Sequence, residues 1–236
     1  MAEIRAVTAH DEIREAVRLQ REIWSFEDID LLPPRFFVVA SKIGGQVLGA
    51  FDASRMIGFC IAVPGVKADG ASYLHSHMLG VLPEYRNAGV GRALKLAQRD
   101  ESMSRGIDLV EWTFDPLALK NAFFNVERLG AIARRYIHNQ YGATSSPLHG
   151  GLPTDRCVAE WWLRSPHVEA IVNGQAWERP AVRRRVSVPA QMANPHTTQA
   201  ATADALERAF ADGLAVIGFE RTDDAGTYLL GKWESH

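Results

Sequence analysis

A junction of strand, loop and helix constrains the fold of this chain more than any other feature. An apolar strand pattern spans Tyr73–Val81, Pro83 closes it, and a helical pattern runs from 92 to 104. Between them, Gly89 and Gly91 let the backbone turn so that consecutive N–H groups point into one concavity. The unpaired amides and the positive dipole end of the helix would meet the pyrophosphate of a nucleotide-like cofactor.

The loop has the pattern Arg-x-x-Gly-x-Gly from Arg86 to Gly91, and Arg92 follows it. It is not a dinucleotide-binding loop, which has the pattern G-x-G-x-x-G, and it lacks the Gly-Lys pair of a Walker loop. The segment Leu79–Leu94 resembles motif A of the GNAT (Gcn5-related N-acetyltransferase) superfamily, whose R/Q-x-x-G-x-G/A loop binds the pyrophosphate of acetyl-CoA. The resemblance implies cofactor contacts for Leu79, Val81, Arg86, Asn87, Ala88, Gly89, Val90, Gly91 and Arg92.

The order of elements also agrees with this family. The patterns predict helices over 11–25, 92–104 and 121–132, a short helix from 36, and strands over 46–52, 56–64, 73–81, 107–114, 131–138 and 157–163. The resemblance therefore implies an α+β fold, with a mostly antiparallel twisted sheet flanked by helices. We expect an acyltransferase domain over residues 1–166.

Residues 167–236 are predicted to form an α/β appendage packed on that domain. A basic, then strand-like segment covers 183–189, a linker covers 193–198 and a helix covers 202–212. The strand patterns 215–221 and 227–233 close the chain as a hairpin. The sequence leaves open whether this part completes an acceptor pocket, contributes a homodimer contact or does neither.

A histidine pair precedes the loop on the same strand. His75 and His77 are two residues apart, so alternation predicts that they share a face with Leu79 and Val81. Neutral histidine accepts protons near physiological pH. His75-Ser76-His77 resembles the His-x-His of the arylalkylamine N-acetyltransferases, which implies that His75, helped by His77, is the catalytic base. The alternative is a pair of hydrogen-bonded histidines at a strand end.

The acid that would protonate the leaving thiolate departs from the family pattern. The family often has a tyrosine four residues before the glycine that ends the helix after the fifth strand. Counting back from Gly130 gives Val126, which cannot donate a proton. Either Tyr73, Tyr136 or Tyr141 takes the role, or no dedicated acid exists. Asn121, with Asn125 as a similar candidate, stands where the family often binds pantetheine, and the alternative is an ordinary helix residue.

Acceptor binding must come from residues outside the loop. Arg156 could hold the carboxylate of an amino-acid acceptor through its planar fork, and an ion pair with Asp155 is the alternative. Glu111 is expected to be an ordinary strand residue or a partner of a histidine. The run Arg183–Arg185 is expected to lie at a solvated edge.

Composition narrows the class of partner. The chain has 236 residues, 47% of them hydrophobic, and a formal net charge of −2, which gives no electrostatic case for nucleic acid or an anionic membrane. No signal peptide or membrane span is recognised, so a cytoplasmic location is expected. Cys60 and Cys157 have no metal-ligand spacing, so we expect free thiols and no metal.

These observations predict an N-acyltransferase that uses acetyl-CoA or another acyl-CoA to modify a small-molecule amine or an amino acid. The resemblance places the cofactor between the fourth and fifth strands. Three alternatives stay open. The donor could be succinyl-CoA, since the chain also resembles larger GNAT-like proteins, some of them linked with N-succinylation. The chain could also be a non-catalytic acyl-CoA-binding module or an unrelated nucleotide-binding protein.

Overall fold

A computed structural model describes residues 2–142, 145–146 and 150–234 of the chain. It contains two compact units. The first comprises Met1–Glu111 and Thr144–Gly150, and the second comprises Trp112–Ala143 and Gly151–His236. The expected boundary at residue 166 stays a prediction about domains.

The first unit is a sheet with helices on both faces. Its elements are β1 (Glu3–Ala6), α1 (His10–Trp24), a 3₁₀ turn (Asp28–Asp30), α2 (Pro34–Lys42), β2 (Gln46–Asp52), β3 (Arg55–Val66), β4 (Ser72–Val81), a second 3₁₀ turn (Pro83–Tyr85), α3 (Val90–Ser104) and the start of β5 (Leu109–Phe114). The strand order is β1-β2-β3-β4-β5, in which β1 to β4 pair antiparallel and β4 pairs parallel with β5. The predicted meander of three strands is confirmed.

Helix α1 forms where the sequence is amphipathic. Asp11 and Glu12 lie in its first turn, where the helix dipole favours negative charge, and Arg21 lies in its last. Its apolar stripe is buried against the sheet. The helix ends at Ser25, whose φ of 55° is left-handed. The prediction of a helix over 11–25 is therefore confirmed.

The helices of the first unit divide between the two faces of the sheet. A Cβ atom at Gly80 of β4 would lie 2.8 Å from Ile23 Cδ1 of α1. On the other face, Lys95 of α3 bonds to Ser76 of β4. Helix α1 also packs on α2. Strand β4 therefore has α1 and α2 on one side and α3 on the other.

The second unit is also a sheet with helices. Its elements are the end of β5, α4 (Leu119–Phe123), a π-helical turn (Phe124–Arg128), β6 (Ile132–Ile137), β7 (Arg156–Trp162), α5 (Pro166–Val172), β8 (Arg184–Pro189), α6 (Pro195–Ala211), β9 (Ala215–Arg221) and β10 (Ala225–Gly231). The order after β5 is β7-β6-β9-β10-β8. The predicted closing hairpin is β9 and β10, and the α+β class with its mostly antiparallel sheet is confirmed.

Two local predictions are wrong in this unit, and one helix was missed. The predicted linker 193–198 contains the start of α6, because Asn194 Oδ1 accepts from the Thr197 amide and Pro195 occupies the first helical position. Helix α5 was not predicted, although Ser165 caps it in the same way. The predicted helix 121–132 ends earlier, since Gly130 has a φ of 77° and β6 follows.

Two further properties bear on the expected environment of the chain. Cys60 and Cys157 are free and buried, as expected. Within the part of the chain that the structure describes, no helix combines the length and apolar character needed to cross a membrane.

Candidate active site

The loop between β4 and α3 turns through two left-handed residues. Asn87 has a φ of 63° and Gly89 has a φ of 83°. Glycine adopts this conformation without steric cost, and asparagine is among the other residues that tolerate it. A Cβ atom at Gly89 would meet no atom within 4 Å, so backbone conformation and not crowding requires glycine there.

The start of α3 is open to an anion. Residues 86 to 89 are all exposed, and no side chain caps the helix at its N-cap residue Gly89. The helix is 15 residues long, so the amides of its first turn carry the full dipole effect. Arg86 is held at the loop by a bond from its Nε to the Val81 carbonyl, 3.1 Å away. These residues fit the pyrophosphate of an acyl-CoA.

A β-bulge in β4 determines where the histidines point. The register with β3 shifts between Ile61 and Ala62, which leaves His77 as an extra residue in β4. The rings of His75 and His77 have centroids 6.0 Å apart, and the ring of Phe36 in α2 lies 6.2 Å from that of His77. Both histidines are half-buried on the α1 and α2 side of the sheet.

The predicted common face of the histidines with Leu79 and Val81 is wrong. A Cβ atom at Gly91 of α3 would lie 3.6 Å from Leu79 Cδ2 and 3.9 Å from Val81 Cγ2, so these two side chains face α3. The bulge reverses the alternation of β4 between the histidines and Leu79. The strand therefore presents its histidines on one face and its two apolar loop-proximal residues on the other.

Both histidines are held neutral. Burial is the main cause that lowers the pKa of His75 to about 4, and the charges of His77, Lys95 and Lys67, in that order, contribute to this lowering. Burial also lowers the pKa of His77. A neutral imidazole has a free lone pair, so His75 is in the protonation state that a general base requires at neutral pH.

This protonation state can be tested by NMR. We expect the ring ¹⁵N shifts of His75 to stay those of a neutral imidazole from about pH 8 down to about pH 5. Because a histidine in the unfolded chain has a pKa of about 6.5 and His75 in the folded protein has a pKa of about 4, the unfolded chain binds this proton first. His75 therefore destabilises the fold as pH falls through that window. Replacing His77 with phenylalanine should raise the pKa of His75. Titration of His75 near pH 6.5 in the folded protein would contradict the structure.

A buried polar cluster lies on the opposite face of β4, and sequence reasoning missed it. Lys95 is 3% exposed, and its Nζ donates to Ser76 Oγ at 2.8 Å and to Gln98 Oε1 at 3.0 Å. Gln98 Nε2 in turn donates to Cys60 Sγ at 3.2 Å. A signal was available, since Lys95, Gln98 and Ser102 recur at helical spacing in α3.

The cluster predicts an alkaline rise in stability. Burial lowers the pKa of Lys95 from 10.5 to about 8, so between these values the unfolded chain binds more protons and stability increases with pH. A Lys95→Met variant should lack this rise, which amounts to at most about 1.4 kcal/mol per pH unit. Urea unfolding of both proteins at several pH values measures the difference. Parallel curves would show that Lys95 keeps its ordinary pKa.

Glu111 occupies the β5 position that pairs with His75 across the parallel ladder. Its side chain is 5% exposed, and Oε1 accepts from Lys67 Nζ at 2.6 Å. Lys67 Nζ also lies 4.5 Å from the centroid of the Tyr73 ring. Glu111 is therefore not an ordinary strand glutamate, because it forms a buried ion pair with Lys67 at the position beside His75.

The remaining predicted site residues belong to the second unit. Asn121 is exposed in α4, whereas Asn125 is buried and its Oδ1 accepts from Trp112 Nε1 at 3.2 Å. Arg156 is 8% exposed at the start of β7, where its Nη1 donates to the Asp155 carbonyl at 2.8 Å.

The tyrosines proposed as thiolate acids differ in environment. Tyr136 donates to Asp155 Oδ2 at 2.8 Å, and burial together with this bond raises its pKa. Tyr141 is exposed, and its hydroxyl lies 2.7 Å from Thr113 Oγ1. Val126 is buried in the π-helical turn.

Comparison with known proteins gives the family. The family model of the acetyltransferase (GNAT) family matches residues 6–130. No curated protein matches the chain. A structure of the ribosomal-protein-S18-alanine N-acetyltransferase from Escherichia coli has a TM-score of 0.54 and 18% identity over 70% of this chain and 96% of that one.

Two other solved structures have the same fold. NAA60 of Arabidopsis thaliana in complex with a bisubstrate analogue has a TM-score of 0.55 and 17% identity, over 69% of this chain and 98% of that one. An aminoglycoside 6'-acetyltransferase type Ii has a TM-score of 0.54 and 18% identity, over 69% of this chain and 98% of that one. With the family model spanning more than half of its length, the chain belongs to the GNAT acetyltransferase family and is an N-acyltransferase that uses an acyl-CoA cosubstrate.

Proposed function

We propose that the protein transfers an acetyl group from acetyl-CoA to the primary amine of a small molecule or an amino acid. The amine nitrogen attacks the thioester carbonyl, a C–N bond forms and the C–S bond breaks. The proton lost by the nitrogen goes to His75, and the electron pair of the broken bond leaves with the sulfur of CoA. No covalent intermediate with the protein is required.

The observation that carries this proposal is the position of the histidine pair. His75 and His77 lie on the same strand that leads into the loop 86–91, with ring centroids 6.0 Å apart. Both are half-buried, so neither is a freely solvated surface residue. Because a single strand joins His75 to the loop that we propose holds the cofactor, the distance between the base and the bound cofactor would be set by the strand.

Each remaining residue has a separate role in this proposal. The amides of Gly89 to Arg92 and the guanidinium of Arg86 hold the pyrophosphate. Asn121 bonds to the pantetheine amides. Arg156, which is nearly buried, binds the carboxylate of an amino-acid acceptor, because a planar guanidinium matches two carboxylate oxygens.

Thiol release from acyl-CoA tests the proposal. The purified protein is mixed with acetyl-CoA or succinyl-CoA and a panel of primary amines that includes free amino acids. We expect acetyl-CoA to be consumed in the presence of one class of amine. Preference for succinyl-CoA would overturn the choice of donor. Binding of CoA without release by any amine would instead indicate a non-catalytic acyl-CoA-binding module.

A further inference from the structure

A polar network ties the residues that follow β6 to those that precede β7. The Gln140 amide donates to the Thr154 carbonyl at 3.0 Å, and the Thr154 amide donates to Asn139 Oδ1 at 3.2 Å. Thr154 is 1% exposed, and its Oγ1 accepts from the Tyr141 amide at 2.9 Å. The backbone of Tyr141 is therefore fixed against the start of β7.

Asp155 joins the same network to β6 through its carboxylate. Its Oδ1 accepts from the Asn139 amide at 2.9 Å, and its Oδ2 accepts from the Tyr136 hydroxyl at 2.8 Å. Both oxygens of this buried carboxylate thus hold donors from β6 or from the residues just after it. Arg156 bonds to the backbone of Asp155, with Nη1 donating to the carbonyl at 2.8 Å.

The ring of Tyr141 lies beside the Arg156 guanidinium. The Cζ atom of Arg156 is 5.5 Å from the ring centroid, which is within the range of a cation–π contact. The Tyr141 hydroxyl lies 2.7 Å from Oγ1 of Thr113 in β5, so the tyrosine is fixed at its backbone and at the tip of its ring. Tyr141 is nevertheless 45% exposed, so part of the ring is accessible to a ligand.

We propose that Tyr141 is a positioning residue for acceptor binding: its ring, tethered to Thr113, restricts the Arg156 guanidinium to the orientation that receives the acceptor's carboxylate. This inference rests on the proposed function, in which Arg156 binds that carboxylate. A planar guanidinium forms two parallel bonds to a carboxylate only when the two groups are aligned. Ordering the guanidinium before the acceptor arrives lowers the entropy cost of binding. The protein thereby favours an amine that carries a carboxylate over one that lacks it.

The contact between Tyr141 and Arg156 can be measured without turnover. In ¹⁵N-labelled protein, the Nε–Hε signal of Arg156 is identified by its loss in Arg156→Lys. The ring current of Tyr141 displaces this signal, so we expect Tyr141→Leu to move it. Tyr141→Phe keeps the ring and should leave the signal nearly in place. A signal that stays in place in Tyr141→Leu would overturn the proposal.

Matched acceptors test the effect on specificity. The probes are the free amino acid that the parent protein acetylates fastest and the C-terminal amide of the same amino acid. We expect Tyr141→Leu to raise KM for the amino acid about threefold to tenfold, the loss expected for one cation–π contact, and to change kcat by less than about twofold. KM for the amide should not change, and Tyr141→Phe should restore most of the affinity for the amino acid.

The outcomes of this comparison separate the inference from the proposed function. Equal rises in KM for both probes, or a fall in kcat with both, would show a merely structural role for Tyr141 and overturn the inference. Equal use of the amide and the amino acid by the parent would also overturn it, while acyl transfer to an amine would stand. No thiol release with any amine would overturn both.

A double-mutant cycle tests the tether to Thr113. Tyr141→Phe and Thr113→Val each remove the same hydroxyl contact and leave the aromatic ring in the site. We expect each to raise KM for the amino acid by no more than about threefold, and the double variant to add nothing further, because one bond is lost in all three. Independent effects that multiply in the double variant would overturn the assignment of the tether.

Discussion

Replacement of Gly89 with tryptophan is expected to weaken CoA binding by about a hundredfold or more, since charge-assisted bonds from backbone amides to phosphate are each worth about 1.5–3 kcal/mol. Gly89 has a φ of 83°, and its neighbourhood is open solvent. A tryptophan there pushes the backbone out of the left-handed region and covers the amides at the start of α3. Calorimetric titration with CoA measures the loss.

Gly70 provides a matched control. It lies in the turn between β3 and β4, has a φ of 86° and, like Gly89, has no atom within 4 Å of a Cβ position. Gly70→Trp therefore has a similar backbone cost, roughly 1–2 kcal/mol, without covering the loop. We expect similar losses in unfolding free energy for the two variants and a loss of CoA affinity in Gly89→Trp alone. Equal CoA affinity in both would remove the loop from the binding site.

Replacement of His75 with alanine is expected to lower kcat by about a hundredfold to ten-thousandfold, the usual contribution of a general base. The affinity for CoA should change little, because the phosphate loop lies at the far end of β4. Loss of turnover with preserved binding is what distinguishes a base from a structural histidine. Steady-state kinetics and calorimetry on the same preparation give both quantities.

The second histidine refines this experiment. His77→Ala should lower kcat less than His75→Ala, since His77 has the supporting role. His10, which is exposed at the start of α1, serves as the control for removal of a histidine, and His10→Ala should retain full activity. An unchanged rate in His75→Ala would exclude His75 from the mechanism and leave His77 as the first candidate base. Rescue of His75→Ala by added imidazole would support the assignment.

The loop and its flanking elements were predictable because their determinants are local. A glycine at 89 and a helical pattern that follows an apolar strand imply a turn with exposed amides wherever that segment folds. The cap of α6 is equally local. Asn194 and Pro195 indicate a helix start, so the local sequence favours α6 over a linker at this point.

The direction of the histidines was not predictable by the same means. Alternation along β4 depends on an unbroken register with β3, and the extra residue at His77 breaks it. Nothing in the sequence of β4 alone marks this position, because a bulge is a property of two paired strands. The prediction of one common face therefore failed although the strand bounds were close to correct.

By itself, the sequence determined the order of most helices and strands, the glycine-containing loop 86–91 and the family to which the chain belongs. Tertiary structure alone decided which face of β4 carries His75 and His77, and that Lys95 is buried and bonded to Ser76 and Gln98. The physical reason is the distance along the chain over which each property is determined. Backbone conformation and capping are set by neighbours within a few residues, whereas burial, pKa and unmet hydrogen bonds depend on groups that only the folded chain brings together.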